Sequence, residues 1–171
     1  DYDRSMNTSI LDGSKMYNGT TIHDLNTEIS GNTIQIVYHP TTLIVAGIYV
    51  YGKDISDDAL GGDGYPLPKE NYYISSVSIR NNTITTAGDG ITITDARNCE
   101  IAGNSIKGAK FSKNDPYARH RDGIRVDKQS SDISITGNSI KNMSRNGIVI
   151  YDRSSLSGIV NNNIKSCSKS G

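Results

Sequence analysis

Isoleucine recurs along this chain at offsets that repeat. In GNTI (31–34), NNTI (81–84), GNSI (103–106), GNSI (137–140) and NNNI (161–164) the second residue is always Asn: Asn32, Asn82, Asn104, Asn138 and Asn162. Two positions later stands Ile34, Ile84, Ile106, Ile140 or Ile164; three positions earlier stands Ile29, Ile79, Ile101, Ile135 or Ile159. A second pattern falls between these: GIYVY (47–51), GITIT (90–94), GIRVD (123–127) and GIVIY (147–151). Apolar residues at every second position predict short strands with one face buried. The Asn-to-Asn steps are 50, 22, 34 and 24 residues. The short steps define one repeat. The step of 50 holds a single Gly-Ile strand, so it reads as one repeat with large insertions.

Several short strands per repeat, with Ile at fixed places, predict the turns of a right-handed parallel β-helix. The chain then reads as one all-β domain over 1–171, of about five to six turns. Equivalent strands would stack about 4.8 Å apart, and the Ile columns would fill the axis. The recurring Asn is expected to take the left-handed turn conformation and to bond its amide to the next Asn in the stack. Cys99 falls in a column with Thr27, Val77, Ile133 and Ser157, and Cys167 in one with Val37, Ala87, Ala109 and Met143. Two small core residues in different columns are not expected to form a disulfide. YDRS (2–5) repeats YDRS (151–154), which aligns Ile10 with Ile159; Gly171 lies nine after Asn162, as Gly147 does after Asn138. Both ends are therefore expected to be cut through a turn of a longer helix, leaving edges through which copies could associate.

Chemistry on a repetitive scaffold belongs at its irregular positions. Insertions fall at about 35–46, 52–73 and 107–122, all bordering the Gly-Ile strands. Within those strands the outward columns are Tyr49, Thr92, Arg125, Val149 and Tyr51, Thr94, Asp127, Tyr151. NDPYARHRDGIRVDKQ (114–129) brings Arg119, His120, Arg121 and Asp122 up to Arg125 and Asp127. Residues 107–128 carry seven Lys or Arg against three Asp, in a chain of zero formal net charge. A local basic surface on a neutral molecule favours an anionic partner. Zero net charge gives no reason to expect nucleic acid, and no run of about 18 apolar residues predicts a membrane span. Ten Tyr with one Phe and no Trp suit a face that stacks on sugar. Asp54, Asp57, Asp58 and Asp63 make one loop acidic, so calcium is the one candidate cofactor; His23, His39 and His120 have no zinc spacing.

The Asn-x-Ile turn followed by a Gly-Ile strand resembles the repeats of the pectate-lyase superfamily, which includes polysaccharide lyases, alginate C5-epimerases, glycoside hydrolases and phage tailspikes. ILDG (10–13) looks like the Leu-Asp-Gly turn found early in such helices, and the loop holding GGDG (61–64) is similar to one in the epimerases. The epimerase motif Asp-Pro-His-Glu is not matched, since Asp115-Pro116 is followed only later by His120. The acidic motifs of polygalacturonases are absent, which disfavours hydrolysis of that kind. The resemblance implies a secreted or cell- or virion-surface protein acting on a uronic-acid polymer by β-elimination or C5 epimerisation. Arg125 or Arg121 would neutralise the sugar carboxylate, His120 would remove the C5 proton, Tyr151 would be the acid, and Asp127 would orient His120 or Arg125. Tyr49, Tyr51, Arg121, Lys110 and Lys113 would hold the polymer. The alternative is a non-catalytic β-helix that binds glycan or serves as a stalk. In that case Arg125 and Asp127 would simply pair.

Overall fold

The structure, a computed structural model, describes residues 9–12, 26–36, 46–52, 74–109 and 122–168. Among these there are sixteen strands in three parallel sheets and no helix. The sheet before each ladder Asn contains β2 (Thr27–Ser30), β6 (Val77–Arg80), β9 (Ala96–Ala102), β12 (Ser131–Thr136) and β15 (Leu156–Val160), with the short β5 (Ile74–Ser75) paired to β9. The sheet after it contains β3 (Thr33–Gln35), β7 (Thr83–Thr86), β10 (Ser105–Gly108), β13 (Ser139–Lys141) and β16 (Asn163–Lys165). The Gly-Ile sheet contains β1 (Ser9–Asp12), β4 (Ala46–Tyr51), β8 (Asp89–Thr94), β11 (Ile124–Asp127) and β14 (Ile148–Ile150). Each turn visits the three in that order and then rises one strand. The expected parallel β-helix of about five turns is what forms, and the step of 50 is one turn with insertions, because β2 pairs with β6 and β3 with β7.

The registers follow the Ile columns. Ile29, Ile79, Ile101 and Ile135 lie level, as do Ile34, Ile84, Ile106, Ile140 and Ile164, and Ile48, Ile91, Ile124 and Ile148. Most of these side chains are fully buried in one core, which extends through Val50, Ile93 and Val126. Fully burying each contributes about 1.5–3 kcal/mol, so the columns supply most of the drive to fold. The Gly that opens each Gly-Ile strand is required by close approach. A Cβ on Gly123 would stand 2.4 Å from the Gly147 carbonyl oxygen and 2.4 Å from Ile140. Here two sheets meet at a corner too tight for any side chain.

Four expectations need correction. Ser9–Asp12 is a strand, not a turn, and it pairs with β4 so that Ile10 lies level with Tyr49. Ile10 therefore belongs to the Gly-Ile sheet and is not the counterpart of Ile159, which sits in another sheet. The column of Thr27, Val77, Cys99 and Ile133 ends at Leu156 rather than Ser157. The register slips by one between Ile133 and Ser134, which lets the apolar Leu156 take the inward place while the exposed Ser157 turns out. The left-handed residue of each Asn turn is the one before the ladder Asn: Gly31, Asn81, Gly103, Gly137 and Asn161, with φ of 54–66°. Ile159 keeps its expected register with Ile135 and is 52 % exposed, since β15 is the outermost described strand of its sheet. Cys99 and Cys167 are both free thiols, as expected.

Candidate functional site

Strand alternation places the outer residues of the Gly-Ile sheet as the sequence foretold. Tyr49, Thr92, Arg125 and Val149 lie level, and Tyr51, Thr94 and Asp127 form the next column. Tyr151 continues that column, because its N–H bonds the Val126 carbonyl at 2.8 Å. Arg125 and Asp127 point to the same side of β11 and pair, with Nε 2.9 Å and one terminal nitrogen 2.5 Å from Asp127 Oδ2. Asp127 Oδ1 accepts the Lys128 N–H at 2.9 Å, so both its oxygens are used. The Arg125 guanidinium carbon lies 4.8 Å from the Tyr151 ring centroid, and the Tyr151 hydroxyl accepts from Arg145 at 3.2 Å. Tyr49 and Tyr51 are 5.5 Å apart, and Lys128 reaches to 5.7 Å over Tyr51. The product is a strip of phenol rings, of which Tyr51 and Tyr151 each carry a cation over the ring.

Burial works against the Arg125 charge, but the hydrogen bond and charge of Asp127, with the charges of Asp89 and Asp122, more than offset it and hold its pKa above the ordinary value. Burial likewise raises the Tyr49 phenol, although its hydrogen bond to Thr94 opposes the shift. Thr92 and Thr94 face outward but are buried, at 4 % and 3 % exposure, so the open part of this face is narrower than the sequence implied. His120, Arg121, Lys110 and Lys113 lie outside the described residues, as do Asp54, Asp57, Asp58 and Asp63. The structure therefore brings together Tyr49, Tyr51, Arg125, Asp127 and Tyr151 from the expected set. Among the described residues no cluster of three or more metal-ligating side chains occurs. The Cys99 thiol, pushed up to about 11 by burial, is no nucleophile.

Arg145, Lys141 and Lys165 were not singled out by the sequence reading, whereas Lys107 and Lys128 belong to its basic stretch. Lys128 and Arg145 each touch a ring of the strip. On the outer face of the sheet after the ladder Asn, Lys107, Lys141 and Lys165 lie level on successive strands, all exposed. Like charges set side by side on neighbouring strands repel, unless an anion lies along them. A buried column also precedes the Gly-Ile strands: Ala46, Asp89, Asp122 and Asn146. Asp89 Oδ1 accepts the Asp122 N–H at 2.7 Å, and Asp122 Oδ1 accepts from the Asn146 N–H and Nδ2 at 3.0 and 2.8 Å. The signal was present in the sequence as the residue before each Gly-Ile. It varies among Ala, Asp and Asn, so it reads as loop polarity rather than as a column.

The three parallel sheets agree with a comparison against protein families. The model described as "Right handed beta helix region" matches residues 24–171. The chain belongs to that family. Comparisons with curated proteins and with solved structures gave no match. Membership fixes the hand of this β-helix and puts it in a class typical of carbohydrate-active proteins. It assigns no reaction, because function on such a scaffold resides in the particular side chains of one face.

Proposed function

We propose that this β-helix acts on an anionic, uronic-acid-containing polysaccharide laid across the outer face of its Gly-Ile sheet. The observation that carries the reading is the ring-and-cation strip: Tyr49 and Tyr51 with Lys128, and Tyr151 with Arg125. Phenol rings stack on the apolar faces of sugars while their hydroxyls stay hydrogen-bonded, and cations pair with the sugar carboxylates. Asp127 uses two of the five N–H directions of Arg125 and fixes the plane of the guanidinium. The lysine column Lys107, Lys141 and Lys165, one sheet earlier in each turn, extends the cationic surface.

In this reading the reaction is β-elimination or C5 epimerisation. Arg125 or Arg121 neutralises the C6 carboxylate and His120 takes the C5 proton. In elimination the electron pair forms the C4–C5 double bond, the C4–O bond breaks, and Tyr151 protonates the departing oxygen. In epimerisation Tyr151 returns a proton to the opposite face of C5. The test is proton NMR of the protein incubated with a panel of anionic polysaccharides, with and without calcium. Olefinic signals establish a lyase, and altered anomeric signals without cleavage establish an epimerase. His120→Ala abolishes either activity; retained turnover in that variant refutes the assignment of the base.

One observation favours a second reading, glycan binding without turnover. Arg125 is already compensated by Asp127, as a structural pair would be. Saturable binding with unchanged spectra across the whole panel would establish it.

A further inference from the structure

Asp89 and Asp122 are buried, at 3 % and 0 % exposure, one turn apart in the column before the Gly-Ile strands, and the proposed chemistry uses neither. Their geometry can be compared with the turn that follows. Asn146 donates twice to Asp122 Oδ1, once from its backbone N–H and once from its amide Nδ2. Asp122 repeats the first of these bonds, from its N–H to Asp89 Oδ1 at 2.7 Å. Asp122 has no amide nitrogen to supply the second; its other side-chain atom is the carboxyl oxygen Oδ2. Among the described residues Asp122 Oδ2 is a buried oxygen with no hydrogen-bond partner. An amide nitrogen at this place carries hydrogen. An ionised carboxylate carries none, and would set one negative oxygen toward another in a site that water does not reach.

We propose that Asp89 and Asp122 share one proton, carried on Asp122 Oδ2 and donated to Asp89 Oδ1, so that the pair holds one negative charge instead of two. The proton is taken from solvent as the chain folds and replaces the amide hydrogen that Asn146 supplies one turn later. The surroundings fit a single charge. Among the described residues Arg125 is the cation acting on Asp89, and it is also paired with Asp127. The Thr92 hydroxyl stands 3.4 Å from Asp89 Oδ2, and the Thr86 hydroxyl bonds the Asp89 carbonyl. Ala46 and Asn146, which continue the column on either side, are neutral. Burial, the largest influence, pushes the Asp89 carboxyl up to about 7; the charge of Asp122 adds to this, while the Asp122 N–H, Arg125 and Thr92 oppose it. The proton also sets the charge acting on Arg125, which doubles when it leaves.

Carboxyl carbon NMR of the full chain labelled in its aspartates, followed from pH 3 to 9, tests the idea without reference to any substrate. The wild type should show one aspartate signal titrating near neutrality. Asp122→Asn supplies the missing amide hydrogen, and the Asp89 signal should then fall by about two pH units or more. Asp89→Asn should remove the high titration as well. If every aspartate of the wild type titrates below about pH 5, the shared proton does not exist. Persistence of the high titration in Asp122→Asn would assign it to burial of Asp89 alone and overturn the sharing. Should a variant fail to fold, the wild-type titration still decides whether the pair holds a proton.

Discussion

The ladder of Asn32, Asn82, Asn104, Asn138 and Asn162 and the column of Ala46, Asp89, Asp122 and Asn146 use the same device with different chemistry. In the first, each Oδ1 from Asn82 onward accepts the backbone N–H and the Nδ2 of the Asn one turn earlier at 2.9–3.0 Å. Each Nδ2 from Asn82 onward also donates to the preceding turn's Ile carbonyl at 2.8–2.9 Å. An amide offers a donor and an acceptor in fixed places, so the pattern can repeat without limit. In the second column two members are carboxyls, which offer only acceptors when ionised. That column also lies beside Arg125 and the tyrosine strip. The lesson is that a uniform amide ladder is scaffold, whereas a departure from uniformity marks the side of the β-helix where charge is managed.

The largest effect should come from making the first ladder resemble the second. Asn104→Asp removes the Nδ2 that donates to Ile79, Ala102 and Asn138, and sets an ionised oxygen against Asn138 Oδ1. Asn104 is 1 % exposed, so water cannot compensate. Urea denaturation at pH 7 should show a loss of about 3–5 kcal/mol, the range for an uncompensated buried charge. The loss should shrink at pH 4, where the new carboxyl can take a proton. An equal loss at both pH values would mean that hydrogen-bond geometry, not charge, governs the ladder.

The converse change makes the second column resemble the first. Burial raises the folded pKa of Asp89 to about 7 from an ordinary 3.8. A carboxyl with a raised folded pKa contributes stability that is fully present below the unfolded value and lost as pH rises through the folded one. Wild-type stability should therefore fall between about pH 4 and pH 7, by of order 2–4 kcal/mol from Asp89. Asp122→Asn should flatten that dependence and be more stable than wild type at pH 8. A pH profile of unfolding free energy that is the same for both proteins would erase the distinction between the two columns.

Asn146→Asp, in the same column, should cost less than Asn104→Asp. Asn146 is 8 % exposed against 1 % for Asn104, so solvent lies closer to the new carboxylate. A loss of about 1–3 kcal/mol at pH 7, relieved on acidification, is expected in the same denaturation assay. A cost above that of Asn104→Asp would show the acid column to be the more sensitive of the two.

What the sequence disclosed and what it concealed divides along the same line. Asn and Ile at constant offsets exposed the first ladder, the sheets and the core, because one residue type filled each place. Outward alternation was enough to put Arg125, Asp127 and Tyr151 together. The left-handed residue was misplaced by one because both Gly and Asn satisfy it, and the Asn beside it drew the eye. Leu156 was missed because a one-residue slip cannot be seen when Ile159 keeps its offset. Asp89 and Asn146 escaped notice because their column has no constant residue. Asp122 was noticed only as a surface charge, although it is wholly buried. His120 and Arg121, the sharpest of the sequence expectations, lie outside the described residues.

The smallest effect concerns the outer faces, where the comparison becomes one between two cation sets. Lys128 lies over a ring on the Gly-Ile sheet, whereas Lys107, Lys141 and Lys165 form a column that, among the described residues, has no ring contact. If the tyrosine strip is the binding face, Lys128→Ala should weaken binding of an acidic oligosaccharide by about five-fold, close to 1 kcal/mol, as expected for a partly exposed cation–π contact that also meets a carboxylate. Lys141→Ala should weaken it by about two-fold at most, and only at low salt, because a solvated lysine acts through a screened field. Titration calorimetry at two ionic strengths separates the cases. A larger and salt-sensitive loss in Lys141→Ala than in Lys128→Ala would move the bound polymer to the lysine column. The tyrosines would then be packing for Arg125, and the charge managed by the buried acid column would serve the fold alone.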